Sequence, residues 1–113
     1  MHEMSLAEGV LQIVERTAGD SAAAKVNVVW LEIGTLAQVE TEALRFCFDV
    51  VTRGSIADGA RLEIVAVPGA AWCMPCGERV ALAAIGEACP RCGGYQLQVV
   101  GGNDLRVKEI AIV

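Results

Sequence analysis

Four cysteines in the second half of the chain have the residue type and spacing of a metal site. Cys73 and Cys76 form one Cys-x-x-Cys pair, Cys89 and Cys92 form a second, and twelve residues separate the two pairs. Four thiolates at this separation can surround one ion tetrahedrally, which is the usual arrangement of a structural Zn²⁺ site. A glycine follows each pair, and glycine most easily adopts the positive-φ turn of a metal knuckle. The spacing therefore predicts a zinc-binding module whose four sulfur ligands leave no coordination position for a catalytic water.

Two other chemistries use a similar cysteine pattern. Rubredoxin-type iron sites also contain two Cys-x-x-Cys-Gly knuckles, so spacing alone does not separate zinc from iron. A Cys-x-x-Cys pair can also carry out thiol–disulfide exchange, but that role needs only one pair and a different context. Zinc is therefore the expected ion, with iron and a redox role as the alternatives.

A second candidate metal site lies at the first residues of the sequence. His2 is the only histidine in the chain. A free Met1 amine, the His2 amide nitrogen and the His2 imidazole can close two fused chelate rings around one ion. All-nitrogen, square-planar coordination suits Ni²⁺ or Cu²⁺ better than Zn²⁺, Mg²⁺ or Ca²⁺. The alternative is that His2 is an exposed residue on a frayed terminus, and the residues alone leave both interpretations open.

Two helices are predicted ahead of the cysteine pairs. Ser5 and Glu8 have the spacing of a capping box, which predicts a helix with Ser5 as its N-cap and an end at Gly19-Asp20. A second helix is predicted from about 39 to 52 because four apolar residues recur on one face, namely Leu44, Cys47, Phe48 and Val51. On that stripe, Cys47 is expected to be a small buried hydrophobic residue and not a reactive thiol.

Extended segments alternate with these helices. Residues 25–33 and 61–67 are rich in β-branched residues and predict strands. Residues 105–113 predict a last strand in which the apolar–polar alternation slips by one residue, as at a bulge or where a strand passes between two sheets. This order predicts an α+β fold: residues 1–69 and 103–113 form a small mixed α/β domain of two helices on a three-stranded sheet. A zinc-ribbon-like module is expected as an insertion over residues 70–102.

The composition excludes several classes of function. The net charge of −5 and the lack of a dense basic segment argue against binding nucleic acid, which requires neutralisation of phosphates. No apolar run approaches the roughly 18 residues that span a bilayer, and no basic region leads into an apolar one as in a secretory signal. Four cysteines in metal-like pairs, with Cys47 unpaired, favour a reducing cytoplasm. With the sole histidine at position 2, no Ser-His-Asp or Cys-His arrangement for covalent catalysis can be built, so we do not expect an enzyme.

The combination of these features resembles the HypA/HybF family of hydrogenase nickel-incorporation proteins. Met1-His2-Glu3, a helix directly after it, and the two cysteine pairs near the end of about 110 residues carry the resemblance over essentially the whole chain. The family position after Glu3 is commonly leucine, and Met4 is a conservative change there. By position, the resemblance implies nickel ligands from the Met1 amine, the His2 imidazole and backbone amide, and the Glu3 backbone amide. It likewise implies zinc at the four cysteines.

The resemblance implies a function as well as a fold. The chain would be a nickel metallochaperone that delivers Ni(II) by ligand exchange to the [NiFe]-hydrogenase large subunit, with Zn(II) as structural support. It would cooperate with a HypB-type GTPase as a cytoplasmic monomer or homodimer. The alternatives are a zinc-ribbon protein-interaction adaptor without a transported metal and a rubredoxin-like electron carrier.

Overall fold

The computed structural model describes residues 2–19 and 25–113, which contain two helices and six strands. The helices are α1 (Glu3–Ala18) and α2 (Thr41–Val51). The strands are β1 (Val26–Gly34), β2 (Arg61–Val67), β3 (Ala70–Cys73), β4 (Glu78–Ala81), β5 (Leu97–Gly101) and β6 (Leu105–Ile112). They form two three-stranded sheets with the orders β2-β1-β6 and β4-β3-β5. The predicted α+β class, with two helices and a separate cysteine-containing sheet, is confirmed.

The chain forms two compact units. The first contains the described residues up to Glu32 together with Val39–Val65 and Arg106–Val113, and the second contains Ile33–Gln38 and Ala66–Leu105. The predicted division into 1–69 plus 103–113 and 70–102 stays a prediction about independent domains.

Helix α1 begins earlier than the sequence pattern predicts. Its N-cap is His2, which has extended backbone angles, and the Leu6 N–H donates to the His2 carbonyl at 3.1 Å. Ser5 therefore lies inside the first turn, and its predicted role as N-cap is wrong. The physical reason is that Glu3 lies one turn before Ala7 on the buried face of the helix, where its carboxylate accepts a hydrogen bond from the Glu40 N–H. This contact favours an earlier start. The other end agrees with prediction, since Gly19 has a φ of 66° and its N–H caps the last turn; Asp20 lies outside the described residues.

The first unit is built around β1 and the two helices. Strand β1 is central in its sheet, with a strand on each side, and its apolar residues Val26, Val28, Val29, Leu31 and Ile33 are buried. Because Val28 and Val29 are consecutive, buried residues lie on both faces of the strand. Helix α2 packs against α1 and buries Leu44 and Phe48, while Cys47 is only half-buried.

The second unit is an antiparallel sheet with its own small core. Strand β3 lies between β4 and β5, so that Trp72 pairs with Arg79 on one side and Gln98 on the other. The opposite face of this sheet contributes to a buried cluster formed by Leu36, Ala71, Cys73, Val80, Leu82 and Cys89. Two of the four cysteines are therefore part of an apolar core, which fixes their positions by packing.

The last strand is continuous from Leu105 to Ile112. Its half-buried side chains are at Leu105 and Val107 and then at Ile110 and Ala111, so the predicted slip in phase is present in the burial pattern. In the described part of the chain, neither helix has the length and apolar character needed to cross a membrane.

Candidate metal centres

The structure brings the sulfurs of Cys73, Cys76, Cys89 and Cys92 together, all within 4.8 Å of one another. The Sγ atoms of Cys73 and Cys92 are 3.6 Å apart, and those of Cys76 and Cys89 are 4.0 Å apart. Four sulfurs at the Zn–S distance of 2.3 Å from one ion would have edges of about 3.8 Å. The cluster therefore fits a tetrahedral ion with only small adjustments of the thiols.

Each cysteine pair sits in the same type of turn. We call residues Cys73–Gly77 the first knuckle and residues Cys89–Gly93 the second. The N–H of Gly77 donates to the Cys73 carbonyl at 2.9 Å, and the N–H of Gly93 donates to the Cys89 carbonyl at 2.9 Å. Both glycines have positive φ, 62° and 74°, as the spacing predicts. This turn points the two sulfurs of a pair toward one ion.

Two backbone amides, one in the second knuckle and one directly after it, also point at sulfur. The Arg91 N–H lies 3.4 Å from the Cys89 Sγ, and the Gly94 N–H lies 3.4 Å from the Cys92 Sγ. Such amides stabilise negative charge on the sulfurs, which is the state that binds a metal. The sequence pattern predicted the cysteine cluster but gave no sign of these two donors.

The four thiols have unequal pKa values because their hydrogen bonds differ, and thiolates at these distances would repel one another. Hydrogen bonding of the Cys76 thiol with the sulfur of Cys73, and next with that of Cys92, raises the pKa of Cys76 to about 12. The Cys76 amide lowers the pKa of Cys73, but burial and the Cys92 thiol outweigh it and raise that pKa. The Cys92 amide, together with that of Arg91, lowers the pKa of Cys89 to about 7. A divalent cation at the centre would replace these protons and remove the repulsion.

The four ligands differ in their access to solvent. Cys73 and Cys89, the first residues of their knuckles, are buried, while Cys76 is half-buried and Cys92 is exposed.

Outside the cluster, the Arg91 guanidinium of the second knuckle forms an ion pair with the carboxylate of Glu78, the residue that follows the first knuckle. Sequence analysis missed this pair, because two opposite charges thirteen positions apart give no signal of contact.

Two of the three predicted nickel residues, His2 and Glu3, lie at the start of α1. Met1 lies outside the described residues, so the structure gives no geometry for its amine. His2 is exposed, and Glu3 is half-buried with its Oε2 accepting a hydrogen bond from the Glu40 N–H at 3.3 Å. Glu40 is the N-cap of α2, a contact that the sequence did not predict. The assignment of Met1, His2 and Glu3 as nickel ligands stays a prediction.

The sequence model of the family described as "Hydrogenase/urease nickel incorporation, metallochaperone, hypA" matches residues 1–112. The chain belongs to the HypA family. It is 62% identical over 112 residues to the hydrogenase maturation factor HypA of Albidiferax ferrireducens, with 99% of each chain covered. It is 61% identical to the HypA of Dechloromonas aromatica, again over 99% of each chain.

The fold agrees with that of a solved HypA structure. The solution structure of the Ni metallochaperone HypA from Helicobacter pylori superimposes with a TM-score of 0.74, covering 100% of this chain and 98% of that one. The sequence identity is 22%, so this similarity supports the fold alone. HypA is thus a family of nickel-incorporation metallochaperones for hydrogenase maturation, and the resemblance found in the sequence is confirmed.

Proposed function

We propose that this HypA-family chain binds Ni(II) through Met1, His2 and Glu3 and delivers it to the [NiFe]-hydrogenase large subunit. The ligands would be the Met1 amine, the His2 imidazole and the backbone amides of His2 and Glu3. The observation that carries the proposal is the position of His2, exposed at the N-cap of α1. An exposed site suits transfer, since an incoming ligand can reach the metal without unfolding a core.

The start of a helix also suits amide coordination. The first N–H groups of an α-helix have no intrahelical acceptor, so their loss as donors breaks no helical hydrogen bond. The His2 and Glu3 amides are in this position, because α1 begins at Glu3. Two deprotonated amides balance the charge of Ni²⁺, so the complex would carry no net charge from these ligands.

The Glu3 side chain has a different environment from its amide. Its carboxylate accepts the hydrogen bond from Glu40 at the start of α2. The side chain therefore lies toward the second helix, and the proposed contribution of Glu3 to nickel is its backbone nitrogen.

Zinc is proposed as the resident ion of the four-cysteine cluster. The separations of the sulfurs fit its tetrahedral geometry, and four thiolates leave no open position for catalysis. The cation would support the fold of the second unit, whose buried cluster includes Cys73 and Cys89. When bound, zinc supplies the charge that holds four thiolates together.

The partners and the location are inferred from the family. A HypB-type GTPase and the hydrogenase large subunit are the proposed partners of a chain that catalyses no reaction itself. All five cysteines are free in the structure, which supports a reducing cytoplasm as the location.

Calorimetric titration with Ni²⁺ tests the nickel site on untagged protein whose Met1 is verified by intact mass. We expect one tight site in the unmodified protein. The His2→Ala variant and a variant with two residues added before Met1 should each lose at least about tenfold in affinity, because each removes a nitrogen ligand. Circular dichroism should show an unchanged fold, since His2 makes no side-chain cap bond to α1.

Glu8→Ala is a matched control, because Glu8 is an exposed residue in the same helix. It should bind Ni²⁺ as the unmodified protein does. Equal affinity in the unmodified protein and in both terminal variants would reject the nickel site. A chain with no tight nickel site but intact zinc would favour the adaptor function.

A further inference from the structure

The ion pair between Arg91 and Glu78 joins the two knuckles outside the metal cluster. Arg91 lies between the two cysteines of the second knuckle, and Glu78 is the first residue of β4, directly after the first knuckle. Among the described residues, it is the ion pair that links the second knuckle to the residue directly after the first. It therefore acts on the same two turns that a zinc ion would hold.

Arg91 makes two contacts beside the cysteine cluster. Its backbone N–H donates to the Cys89 sulfur within the second knuckle, and its side chain reaches the Glu78 carboxylate beyond the first knuckle. A movement of the second knuckle away from the start of β4 would break the ion pair, whereas the amide contact would move with the knuckle. The ion pair is thus the contact of Arg91 that depends on the two turns staying together.

The four cysteines of the cluster differ in their exposure to a competing chelator. Cys92 is exposed, whereas Cys89 is buried in the core of the second unit. A competing chelator must displace the zinc thiolates one at a time, and it reaches the exposed ligand first. After the Cys92 sulfur leaves, the remaining restraint on its turn includes the contact of Arg91 with Glu78.

We propose that the Arg91–Glu78 ion pair is a positioning pair that slows the release of zinc by holding the second knuckle against the first. This inference rests on the proposed occupancy of the cluster by zinc. Neither residue is a ligand, so loss of the pair should leave one zinc per chain at equilibrium. It should increase the rate at which a chelator removes that zinc.

Zinc transfer to 4-(2-pyridylazo)resorcinol, followed by its absorbance, measures this rate on the full chain. Arg91→Gln and Glu78→Gln should each release zinc about two- to five-fold faster, the range expected for one exposed ion pair. The double variant should be no faster than either single one, because both changes remove the same contact. The difference from the unmodified protein should shrink in high salt, which screens exposed charges.

A charge-swapped variant separates the pair from a direct effect of the Arg91 charge on the thiolates. Arg91→Glu combined with Glu78→Arg restores an ion pair but places a negative charge in the second knuckle. We expect its release rate to lie within about twofold of the unmodified protein. A rate as fast as or faster than that of Arg91→Gln would overturn the positioning role.

Arg61 and Glu63 in β2 provide a matched control. Their side chains are 67% and 43% exposed, against 66% and 42% for Arg91 and Glu78, and they pair in the first unit. Glu63→Gln should leave zinc release unchanged. If every variant contains zinc and releases it at the same rate, the positioning role of the ion pair alone is rejected. If metal analysis finds no zinc in the unmodified protein, the assignment of zinc to the cluster is rejected as well.

Discussion

Gly77 and Gly93 occupy equivalent positions in the two knuckles. Each donates its N–H to the carbonyl of the first cysteine of its own pair at 2.9 Å, and each has a left-handed φ. No heavy atom outside the adjacent residues lies within 4 Å of the place that a Cβ would take at either glycine. The requirement for glycine at both sites therefore comes from the backbone angle and not from crowding.

Gly77→Ala and Gly93→Ala should each lower the free energy of unfolding of the zinc-loaded second unit by about 1–2 kcal/mol. The cost is that of placing an L-residue with a Cβ in the left-handed region. Chemical denaturation of variants that all carry Trp30→Phe, followed by Trp72 fluorescence, measures it in the second unit. Gly9→Ala is the control, since Gly9 lies inside α1 with open space around it, and it should stabilise α1 by roughly 0.5–1 kcal/mol. Stability unchanged in both knuckle variants would contradict the assigned turns.

Removal of one zinc ligand should unfold the second unit but not the first. We expect Cys76→Ala to lose zinc and the cooperative melting of β3, β4 and β5, because a structural zinc site supplies folding free energy directly. Metal analysis and amide hydrogen exchange measure the two effects. Cys47→Ala is the control, as Cys47 lies in α2 of the first unit and should retain zinc. Full zinc content with normal exchange protection in Cys76→Ala would argue against a structural role for the metal.

Zinc affinity should fall as the pH is lowered, and more steeply below about pH 7. The pKa of Cys76 is about 12, chiefly through its hydrogen bond with Cys73, so zinc must displace that proton throughout the physiological range. The pKa of Cys89 is about 7, mainly because of the Cys92 amide, so a further proton competes only below that pH. Acidification thus adds a competing proton and never removes one. Competition titrations with a chelator from pH 6 to 8.5 should show this change of slope, and a constant affinity would be inconsistent with it.

Ser5→Ala should change the free energy of unfolding by less than about 0.5 kcal/mol. A true N-cap serine contributes about 1 kcal/mol, but Ser5 is an exposed residue within the first turn of α1. Thermal unfolding of the two proteins at one pH measures the difference. Thr17→Ala offers a comparison inside the same helix, since the Thr17 hydroxyl donates to the Ile13 carbonyl. A loss of 1 kcal/mol or more for Ser5→Ala would restore the predicted capping box.

Local sequence patterns predicted most of the secondary structure correctly. Strand β2 has the bounds that alternation predicts, 61–67, and α2 differs by one or two residues at each end. These segments were predictable because apolar residues recur at every second position in a strand and at every third or fourth position in a helix. The start of α1 was not predictable in this way, because Ser5 and Glu8, which form a capping-box pattern, also fit within a helical turn.

The spacing of the sequence by itself predicted the four cysteines that the structure brings together in the second unit. Two Cys-x-x-Cys-Gly turns can present four sulfurs to one ion whatever surrounds them, because the geometry within each turn is local. The tertiary structure decided which residues support those turns. Ile33–Gln38 is far from the cysteines in the chain yet lies in their unit, where Gly34 donates to the Asp104 carbonyl at 2.8 Å and a Cβ on Gly34 would lie 2.0 Å from the Gly102 oxygen.

The side chains around both candidate metal centres were likewise decided by the tertiary structure. The contact of Glu3 with Glu40 and the ion pair of Arg91 with Glu78 join residues distant in sequence, and neither leaves a periodic or motif-like signal. Such contacts depend on how whole elements pack, because a side chain finds its partner only after the chain has folded. The sequence alone determined where the metals are expected to bind, and only the tertiary structure decided which neighbours hold the ligands in place.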